Sequence, residues 1–388
     1  MRWREFREKI RKTFKLIDIL ESGKRRISVS RRFLLLASVS VLVLVGIVLV
    51  GSGLAQTRSI IIWSQQQPEN TTHNGSIAVS PNGQLVASGR TDSNDVNIWN
   101  AANGALIRTL NGRDNNANAL AFSPDSQYLV SGSTSNLSLN LWRVSDGVRL
   151  VGRLPAFTNG IVGLSFSPDG QLLAASGSHA NTYKIFHVPD MTLIGEFGNF
   201  DPVLGYNARI FSIAFSRDGQ FIAAGATRGI YLRNAADGSL VRTINPNYPN
   251  PMTTDSIAFA PNGTDVAAGV AYKDPTYSNC IDCSIKIFRI ADGTLLHTYT
   301  DPSGPDFPKV QFSPSGRIVG AGFSDNHGTV TSGAAEFWNV DTEQILRRDS
   351  RDFWVQDLAY APSGKTYAFY GADGVIAVVR APQILFDW

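Results

Sequence analysis

The segment SPDGQLLAAS (Ser167–Ser176) decides the fold because the chain repeats it with small changes. Ser80–Gly89 reads SPNGQLVASG, and Ser216–Gly225 reads SRDGQFIAAG. Related segments follow one another every 43 to 53 residues. Their turns are Pro81-Asn82-Gly83, Pro124-Asp125-Ser126, Pro168-Asp169-Gly170, Arg217-Asp218-Gly219, Pro261-Asn262-Gly263, Pro314-Ser315-Gly316 and Pro362-Ser363-Gly364. Such a period indicates seven units that bury their apolar faces against one another.

One unit, Ser212–Ile244, reads as four short apolar runs separated by turns. Asp218-Gly219 and Asp237-Gly238 are hairpin dipeptides, because glycine readily adopts the positive φ that such turns require. The predicted strands, named a to d in order along the unit, are Ile213–Phe215, Gln220–Ala224, Ile230–Leu232 and Leu240–Ile244. Each unit is therefore expected to be a four-stranded antiparallel sheet.

Very small side chains in strand b indicate how the sheets are arranged. These runs are Ala87-Ser88-Gly89, Ala174-Ala175-Ser176, Ala223-Ala224-Gly225, Ala267-Ala268-Gly269 and Gly320-Ala321-Gly322. Sheets that radiate from a common axis crowd near that axis, where small residues let neighbouring backbones approach, and bulkier residues belong farther out. The sequence therefore predicts an all-β, seven-bladed β-propeller.

The repeated turn, the small-residue strand and a following Ile-x-Ile-Trp strand resemble the WD-repeat family over about Ile77–Pro382. The resemblance implies a β-propeller in which an N-terminal strand completes the last blade. The family's tryptophan position reads Trp99, Trp142, Phe186, Arg233, Phe288, Trp338 and Arg380, and the aspartate that should follow is absent. We therefore expect the family's buried polar network to be incomplete.

Two segments could complete the last blade. Arg58–Trp63 precedes the first unit and is placed to form the outer strand, as the family resemblance implies. Gln383–Trp388 follows the last unit and is the alternative. We favour Arg58–Trp63.

The first part of the chain has a different composition from the rest. Residues 1–32 contain twelve Lys or Arg and four Asp or Glu, whereas the chain from Arg58 onward is mildly acidic. Phe33–Ala55 is an uncharged run of 23 residues, long enough as a helix to cross a bilayer. We expect a basic cytoplasmic tail with a short amphipathic helix (1–32), a transmembrane helix (33–55) and the propeller (58–388).

The charges around this run predict its orientation. Five Lys or Arg lie in Lys24–Arg32, and only Arg58 lies close after the run, so the N-terminus should face the cytoplasm and the propeller the outside. Three alternatives remain: a cleaved signal peptide with small residues at Gly53 and Ala55, a twin-arginine signal at Ser30–Leu36, and a propeller that stays cytosolic.

Function is expected where the connections are long. Connections d–a and b–c emerge at the same end of a blade, and residues 198–209, 245–255, 271–284 and 323–334 lengthen them. Aromatic residues dominate many binding patches. The candidate partner-binding residues at this end are Tyr206, Tyr248, Tyr272, Tyr277, Phe323, Phe353 and Trp354. The alternative is that each packs only against its own loop.

The two cysteines, Cys280 and Cys283, lie in one of these connections. Outside the cytoplasm a local disulfide is the favoured interpretation, with free thiols or a metal or redox site as alternatives.

No catalytic motif stands out, and no catalytic residue, cofactor or metal is predicted. The basic excess precedes the apolar run, so nucleic acid is not an expected partner. We expect a membrane-anchored, extracytoplasmic scaffold that binds a protein or an envelope component. The alternative is a propeller enzyme, a hydrolase, lyase or oxidoreductase, that uses the central channel.

Overall fold

The structure is a computed structural model, and it describes residues 60–67, 75–89, 95–111, 117–133, 137–158, 160–177, 181–198, 200–201, 206–244, 253–273, 280–300, 306–325 and 332–384. The predicted tail of residues 1–32 and the predicted transmembrane helix of residues 33–55 lie outside these ranges. Within them, no helix has the length and apolarity that crossing a bilayer requires.

The described strands form seven four-stranded antiparallel sheets, each ordered a, b, c, d. Blade one contains β2 (Ile77–Val79), β3 (Leu85–Gly89), β4 (Asp95–Asn100) and β5 (Leu106–Asn111), and blade two β6 (Ala117–Phe122), β7 (Tyr128–Ser133), β8 (Ser138–Arg143) and β9 (Arg149–Pro155). Blade three contains β10 (Ile161–Phe166), β11 (Leu172–Gly177), β12 (Thr182–His187) and β13 (Leu193–Gly198). A small hairpin of β14 (Phe200–Asp201) and β15 (Tyr206–Asn207) follows.

Blade four contains β16 (Ile210–Phe215), β17 (Phe221–Ala226), β18 (Gly229–Asn234) and β19 (Leu240–Ile244), and blade five β20 (Thr253–Phe259), β21 (Asp265–Lys273), β22 (Cys280–Arg289) and β23 (Leu295–Thr300). Blade six contains β24 (Asp306–Phe312), β25 (Ile318–Asp325), β26 (Ser332–Asn339) and β27 (Ile345–Arg351). Blade seven contains β28 (Val355–Tyr360), β29 (Thr366–Gly371), β30 (Val375–Arg380) and, as its outer strand, β1 (Ile61–Gln66).

The blades form a closed ring, so the predicted seven-bladed propeller is confirmed. The a strands contact one another in sequence around the axis, and β28 of blade seven contacts β2 of blade one. The N-terminal strand completes the last blade, as favoured, but it runs over Ile61–Gln66 rather than Arg58–Trp63. Gln383 and Ile384 lie outside any strand, and residues 385–388 lie outside the described ranges.

The serine that begins the repeated segment explains why the turn recurs. In blade four the Ser216 hydroxyl donates to Asp218 Oδ1 at 2.6 Å and accepts from the Phe221 N–H at 2.9 Å. Gly219 in the same turn has φ +72°, a conformation that favours glycine. Ser80 makes the equivalent contacts with Asn82 and Leu85. The serine hydroxyl thus joins the a–b turn to the start of strand b.

The small residues of strand b lie where neighbouring blades are closest. A Cβ atom on Gly89 would stand 2.0 Å from the carbonyl oxygen of Ala117 in blade two. A Cβ atom on Gly322 would stand 2.8 Å from the carbonyl oxygen of Val355 in blade seven. The predicted taper of side-chain size toward the axis is therefore required by backbone contact between blades.

Two expectations about the strands need correction. Tyr367 of β29 pairs with Val379, whereas the equivalent Val86 of blade one pairs with Trp99. Val379 rather than Arg380 therefore occupies the tryptophan position of blade seven.

The residues inserted after strand b in units five and six were expected to be loops. Those that the structure describes instead extend the hairpins of β21 with β22 and of β25 with β26, because antiparallel pairing satisfies their backbone groups.

A buried arginine joins blades six and seven. The Arg347 guanidinium lies 5.4 Å from the Phe337 ring and 5.7 Å from the Tyr367 ring. It forms an ion pair with Asp349 at 2.9 Å and donates to the Arg380 carbonyl oxygen at 2.5 Å. The Tyr367 hydroxyl also donates to Asp349. At this blade junction an arginine packed on aromatic rings therefore takes the place of the tryptophan network that the family resemblance implied.

Candidate functional site

The two ends of the ring differ in the connections they carry. At the short-turn end, strands a and b, and strands c and d, are joined by turns such as Ser80–Gln84 and Ala101–Ala105. At the long-loop end, strand d leads to the next strand a and strand b leads to strand c. The hairpin β14–β15 and the extended hairpins of blades five and six lie at the long-loop end. This end is the candidate interaction face.

The structure distributes the seven predicted aromatic residues unevenly. Tyr248 and Tyr277 lie outside the described residues, as do the side chains of Tyr206 and Tyr272. The backbone of Tyr206 pairs with Asp201 in the small hairpin, and that of Tyr272 pairs with Asp282. Their role at the surface stays a prediction.

Phe323 needs correction as a candidate surface residue. Its side chain is 3% exposed and packs edge-to-face on Trp338, with 5.7 Å between ring centroids. Extension of β25 carries Phe323 into the core between blades five and six. It is a core residue.

Phe353 and Trp354 lie together at the long-loop end, between β27 and β28, and both are half-buried. The Phe353 ring lies 6.3 Å from the Phe369 ring, and the Trp354 carbonyl accepts from the Ala372 N–H at 2.8 Å. These contacts hold the connection against strand b of blade seven and the turn that follows it. Part of each residue remains accessible, and their role in binding stays a prediction.

Cys283 is buried and forms a disulfide bond. The chain contains one other cysteine, Cys280, whose side chain lies outside the described residues. Because the Cys280 side chain is not described, the Cys280–Cys283 pairing stays a prediction.

The sequence interpretation missed a polar cluster at the long-loop mouth of the central channel. The a strands surround a cavity of about 690 Å³. Its polar lining includes Asn118, Asp255, Lys309, Gln356 and Asp357. All five lie three or four residues before the end of a strand a, so an alignment of these strands by their last residue would have found the cluster.

Asp357 is an acid of this cluster whose pKa the protein shifts. Burial raises the pKa of its carboxyl, and the positive charge of Lys309 opposes the rise without cancelling it. Its Oδ2 accepts from the Ile77 N–H at 3.0 Å and the Ser76 hydroxyl at 3.2 Å, and its Oδ1 accepts from the Leu358 N–H. The carboxylate thus ties blade seven to blade one.

Other channel-facing side chains accept similar bonds at this junction and at two further blade junctions. Ser165 accepts from the Phe215 N–H at 3.0 Å, and Ser256 accepts from the Val310 N–H at 3.0 Å. Gln356 accepts from the Gly75 N–H at 2.8 Å. These channel-facing side chains therefore help to hold the ring together. No group of acids, histidines and cysteines among the described residues could hold a metal ion.

Comparisons with known proteins agree with this architecture. Residues 66–100, 104–143 and 148–187 match the model of the family described as WD domain, G-beta repeat. Each of the last two matches begins near the outer strand of one blade and continues through strands a, b and c of the next. Sequence repeats and structural blades are thus offset by one strand.

An uncharacterized WD repeat-containing protein of Synechocystis sp. is 28% identical over 173 residues. The aligned region covers 44% of this chain and 44% of that protein, so the chain spans less than half of the relative's length. This chain therefore contains WD40 repeats in three of its segments, is similar to a WD repeat-containing protein, and folds as a seven-bladed β-propeller.

Proposed function

We propose that this chain is a membrane-anchored, extracytoplasmic scaffold that binds a protein or an envelope component through its long-loop end. WD40 propellers generally bind proteins, and three segments of this chain match that repeat. The observation that carries the proposal is that the extended hairpins among the described residues all lie at one end of the ring. Variable connections on a rigid scaffold commonly hold binding residues.

Photo-crosslinking in the native membranes tests which end binds. A photoreactive amino acid replaces Thr300 or Asp352, exposed residues at the long-loop end, and in a matched control it replaces Ser145, an exposed residue of a short turn. We expect discrete adducts from the first two sites and none of the same mass from Ser145. The proposal would be contradicted if Ser145 gave an adduct of the same mass as Thr300 or Asp352, or if Ser145 were the one site of the three that gave an adduct.

Anchoring and orientation are tested on the full chain in its own membranes. The uncharged run Phe33–Ala55 and the basic residues before it support both. We expect the chain to stay in the pellet after alkaline carbonate extraction, and protease added outside to digest the propeller. Release by carbonate would contradict the anchor, and protection of the propeller in sealed cells would contradict the orientation.

A propeller enzyme is the second candidate, and the raised pKa of Asp357 beside the channel cavity is the observation that favours it. Against it, Asp357 accepts bonds from Ile77 and Ser76 of the neighbouring blade through one carboxylate oxygen and from its own strand through the other. Screening the purified chain for hydrolase, lyase or oxidoreductase activity tests this candidate. A turnover that disappears in Asp357→Asn would favour it over the scaffold.

A further inference from the structure

The chain enters the ring at the short-turn end of blade seven. β1 runs antiparallel to β30, with Ile61 opposite Val379 and Gln66 opposite Val375. The Arg380 N–H donates to the Ile60 carbonyl oxygen at 3.1 Å. Since strand c reaches the short-turn end at Arg380, the chain before Ile60 joins the ring at that end.

The surface at this point of entry is apolar. Ile60, Ile61 and Ile62 are 54%, 44% and 42% exposed. Ile62 also lines a crevice of about 350 Å³ between blades seven and one, whose other apolar residues are Val79, Val86, Ala101, Ala102, Ala361, Pro362, Ala368 and Val378. We call Ile60–Ile62 together with this crevice the seam surface. An exposed apolar surface that continues into a crevice is typical of an interaction site.

The lack of acidic residues distinguishes the seam surface from the rest of the short-turn end that the structure describes. The turns at this end of blades two to six carry Asp125, Asp146, Asp169, Asp190, Asp218, Asp237, Asp292, Asp341 and Glu343. In the described turns of blades one and seven at this end there is no acidic residue, and the charged residues there are Lys365 and Arg380. The seam surface thus combines exposed isoleucines with two cations.

The acidic turns of the other blades stay charged. Hydrogen bonds from neighbouring serine residues hold the pKa of Asp169, Asp218 and Asp237 below the usual range of a carboxyl. Charged carboxylates are costly to bring to an apolar medium. Blades three and four are therefore poorly suited to approach lipid at this end.

The length of chain before Ile60 limits where the seam surface can lie. Four residues separate Ala55, the last residue of the predicted transmembrane helix, from Ile60. Even fully extended, this linker spans about 18 Å. If Phe33–Ala55 crosses the bilayer, the short-turn end of blade seven must lie close to the membrane surface.

We infer that the seam surface contacts the lipid bilayer, with Ile60–Ile62 among the lipid headgroups and upper acyl chains and Lys365 and Arg380 near the phosphates. This inference rests on the proposed membrane anchor. It gives the propeller one orientation, in which the long-loop end points away from the membrane and toward a partner.

Fluorescence quenching on the full chain in phosphatidylcholine vesicles tests the inference. An environment-sensitive maleimide dye is attached at Ile61→Cys, at Leu240→Cys or at Thr300→Cys, and the unsubstituted chain gives the background from the native cysteines. Leu240 is the matched control, because it is 48% exposed and begins the outer strand of blade four. Vesicles with brominated acyl chains then quench any dye that contacts the bilayer.

We expect strong quenching at residue 61 and quenching at residues 240 and 300 no greater than that of a dye held in water. Equal quenching at the three sites, or none at residue 61 in vesicles that carry the chain, would overturn the inference. If the chain does not float with the vesicles, the anchor itself fails. Flotation thus separates failure of the proposed anchor from failure of the seam contact.

A second pair of variants guards against an effect of the dye. The label is moved to Ser363→Cys, an exposed turn residue of blade seven, in a chain that also carries Ile60→Ser, Ile61→Ser and Ile62→Ser. We expect quenching to fall to the level of the label at Thr300→Cys while flotation is kept. Leu240→Ser with Val241→Ser, the matched control, should leave quenching at residue 363 unchanged, and an equal loss in both variants would contradict the seam contact.

Discussion

Ser88 lies at the centre of a buried hydrogen-bond chain in blade one. Its hydroxyl oxygen accepts from Trp99 Nε1 at 2.9 Å and from Gln67 Nε2 at 2.8 Å. In blade two the equivalent Ser131 accepts from Trp142 Nε1 at 3.0 Å. The sequence predicted an incomplete polar network, and the serine–tryptophan part is present in these two blades.

Replacing Ser88 by alanine should destabilise the propeller more than replacing Ser131. Ser88→Ala leaves two buried donors without their acceptor, at a cost of about 2–4 kcal/mol in the free energy of unfolding, whereas Ser131→Ala leaves one, at about 1–3 kcal/mol. Guanidinium denaturation of both variants checks this. Equal losses would show that Gln67 finds another acceptor.

Asp357 should make stability depend on pH in a direction unusual for a carboxylate. Because burial raises its pKa above the ordinary 3.8, the folded chain between pH 3.8 and the raised pKa holds a proton that the unfolded chain has released. Its contribution to stability is therefore greatest below pH 3.8 and falls as pH rises toward the folded pKa, by up to about 1.4 kcal/mol per pH unit.

Asp357→Asn removes this titration and keeps an oxygen that can accept from the Ile77 N–H. Relative to the variant, the original chain should lose stability as pH rises from 4 to 7, measured by urea denaturation at each pH. A stability difference that stays constant, or that grows in favour of the original chain, would contradict the prediction.

Residue roles could be predicted from sequence only where a local pattern fixes them. The turn serines and Gly219 follow from the repeated turn, whose contacts span at most a few residues. Asp357 acts across the junction of two blades, where it meets Ser76, and a single repeat does not contain that contact. Phe323 was misplaced because an inserted segment was taken for a loop when it continues the strand.

At the scale of elements, the hairpin of β21 and β22 is the clearest departure from an average blade. Its two strands pair from Asp265 opposite Arg289 to Lys273 opposite Cys280, with an irregularity between Tyr272 and Lys273. The hairpin thus extends beyond the blade at the long-loop end. A covalent link near its tip would restrict the tip in both folded and unfolded chains.

A Cys280–Cys283 disulfide should be visible in the intact chain. Without reductant we expect a mass lower by two hydrogens than after reduction, and no reaction with a thiol reagent under denaturing conditions. After reduction both cysteines should react, which provides the control. Labelling of the unreduced chain at both positions would favour free thiols.

Blades could be predicted from sequence because their turns repeat, whereas strand ends could be predicted only where a hairpin turn marks them. Strand d of blade four was predicted as Leu240–Ile244 and is found there, since a hairpin turn fixes where it begins. Strand a of the same blade begins at Ile210 rather than Ile213, because its first residues pair with β17 across a bulge that no residue pattern marks.

At the scale of the whole molecule, Trp63 closes the ring from outside. It lies on β1 of blade seven, is 8% exposed, and donates from Nε1 to the Ala101 carbonyl of blade one at 2.8 Å. Its ring lies 6.5 Å from that of Trp99. One side chain therefore joins the first and last blades at the seam.

Trp63→Ala should open this junction. Loss of a buried tryptophan costs about 3–5 kcal/mol in the free energy of unfolding. Ile61→Ala, on the same strand but exposed, should change stability by less than about 0.5 kcal/mol. Guanidinium denaturation gives both values, and similar losses would show that β1 as a whole, rather than the Trp63 side chain, closes the ring.

Closure by β1 also constrains the timing of biosynthesis. A ribosome that has produced Gln66 must still add the residues up to Arg380 before β30 can accept its partner strand. At about 5–20 residues per second, translation of that stretch lasts roughly 15 to 60 seconds. During that interval the nascent chain carries an unpaired hydrophobic strand, so a stalled or truncated product would leave this strand open to chaperones and proteases.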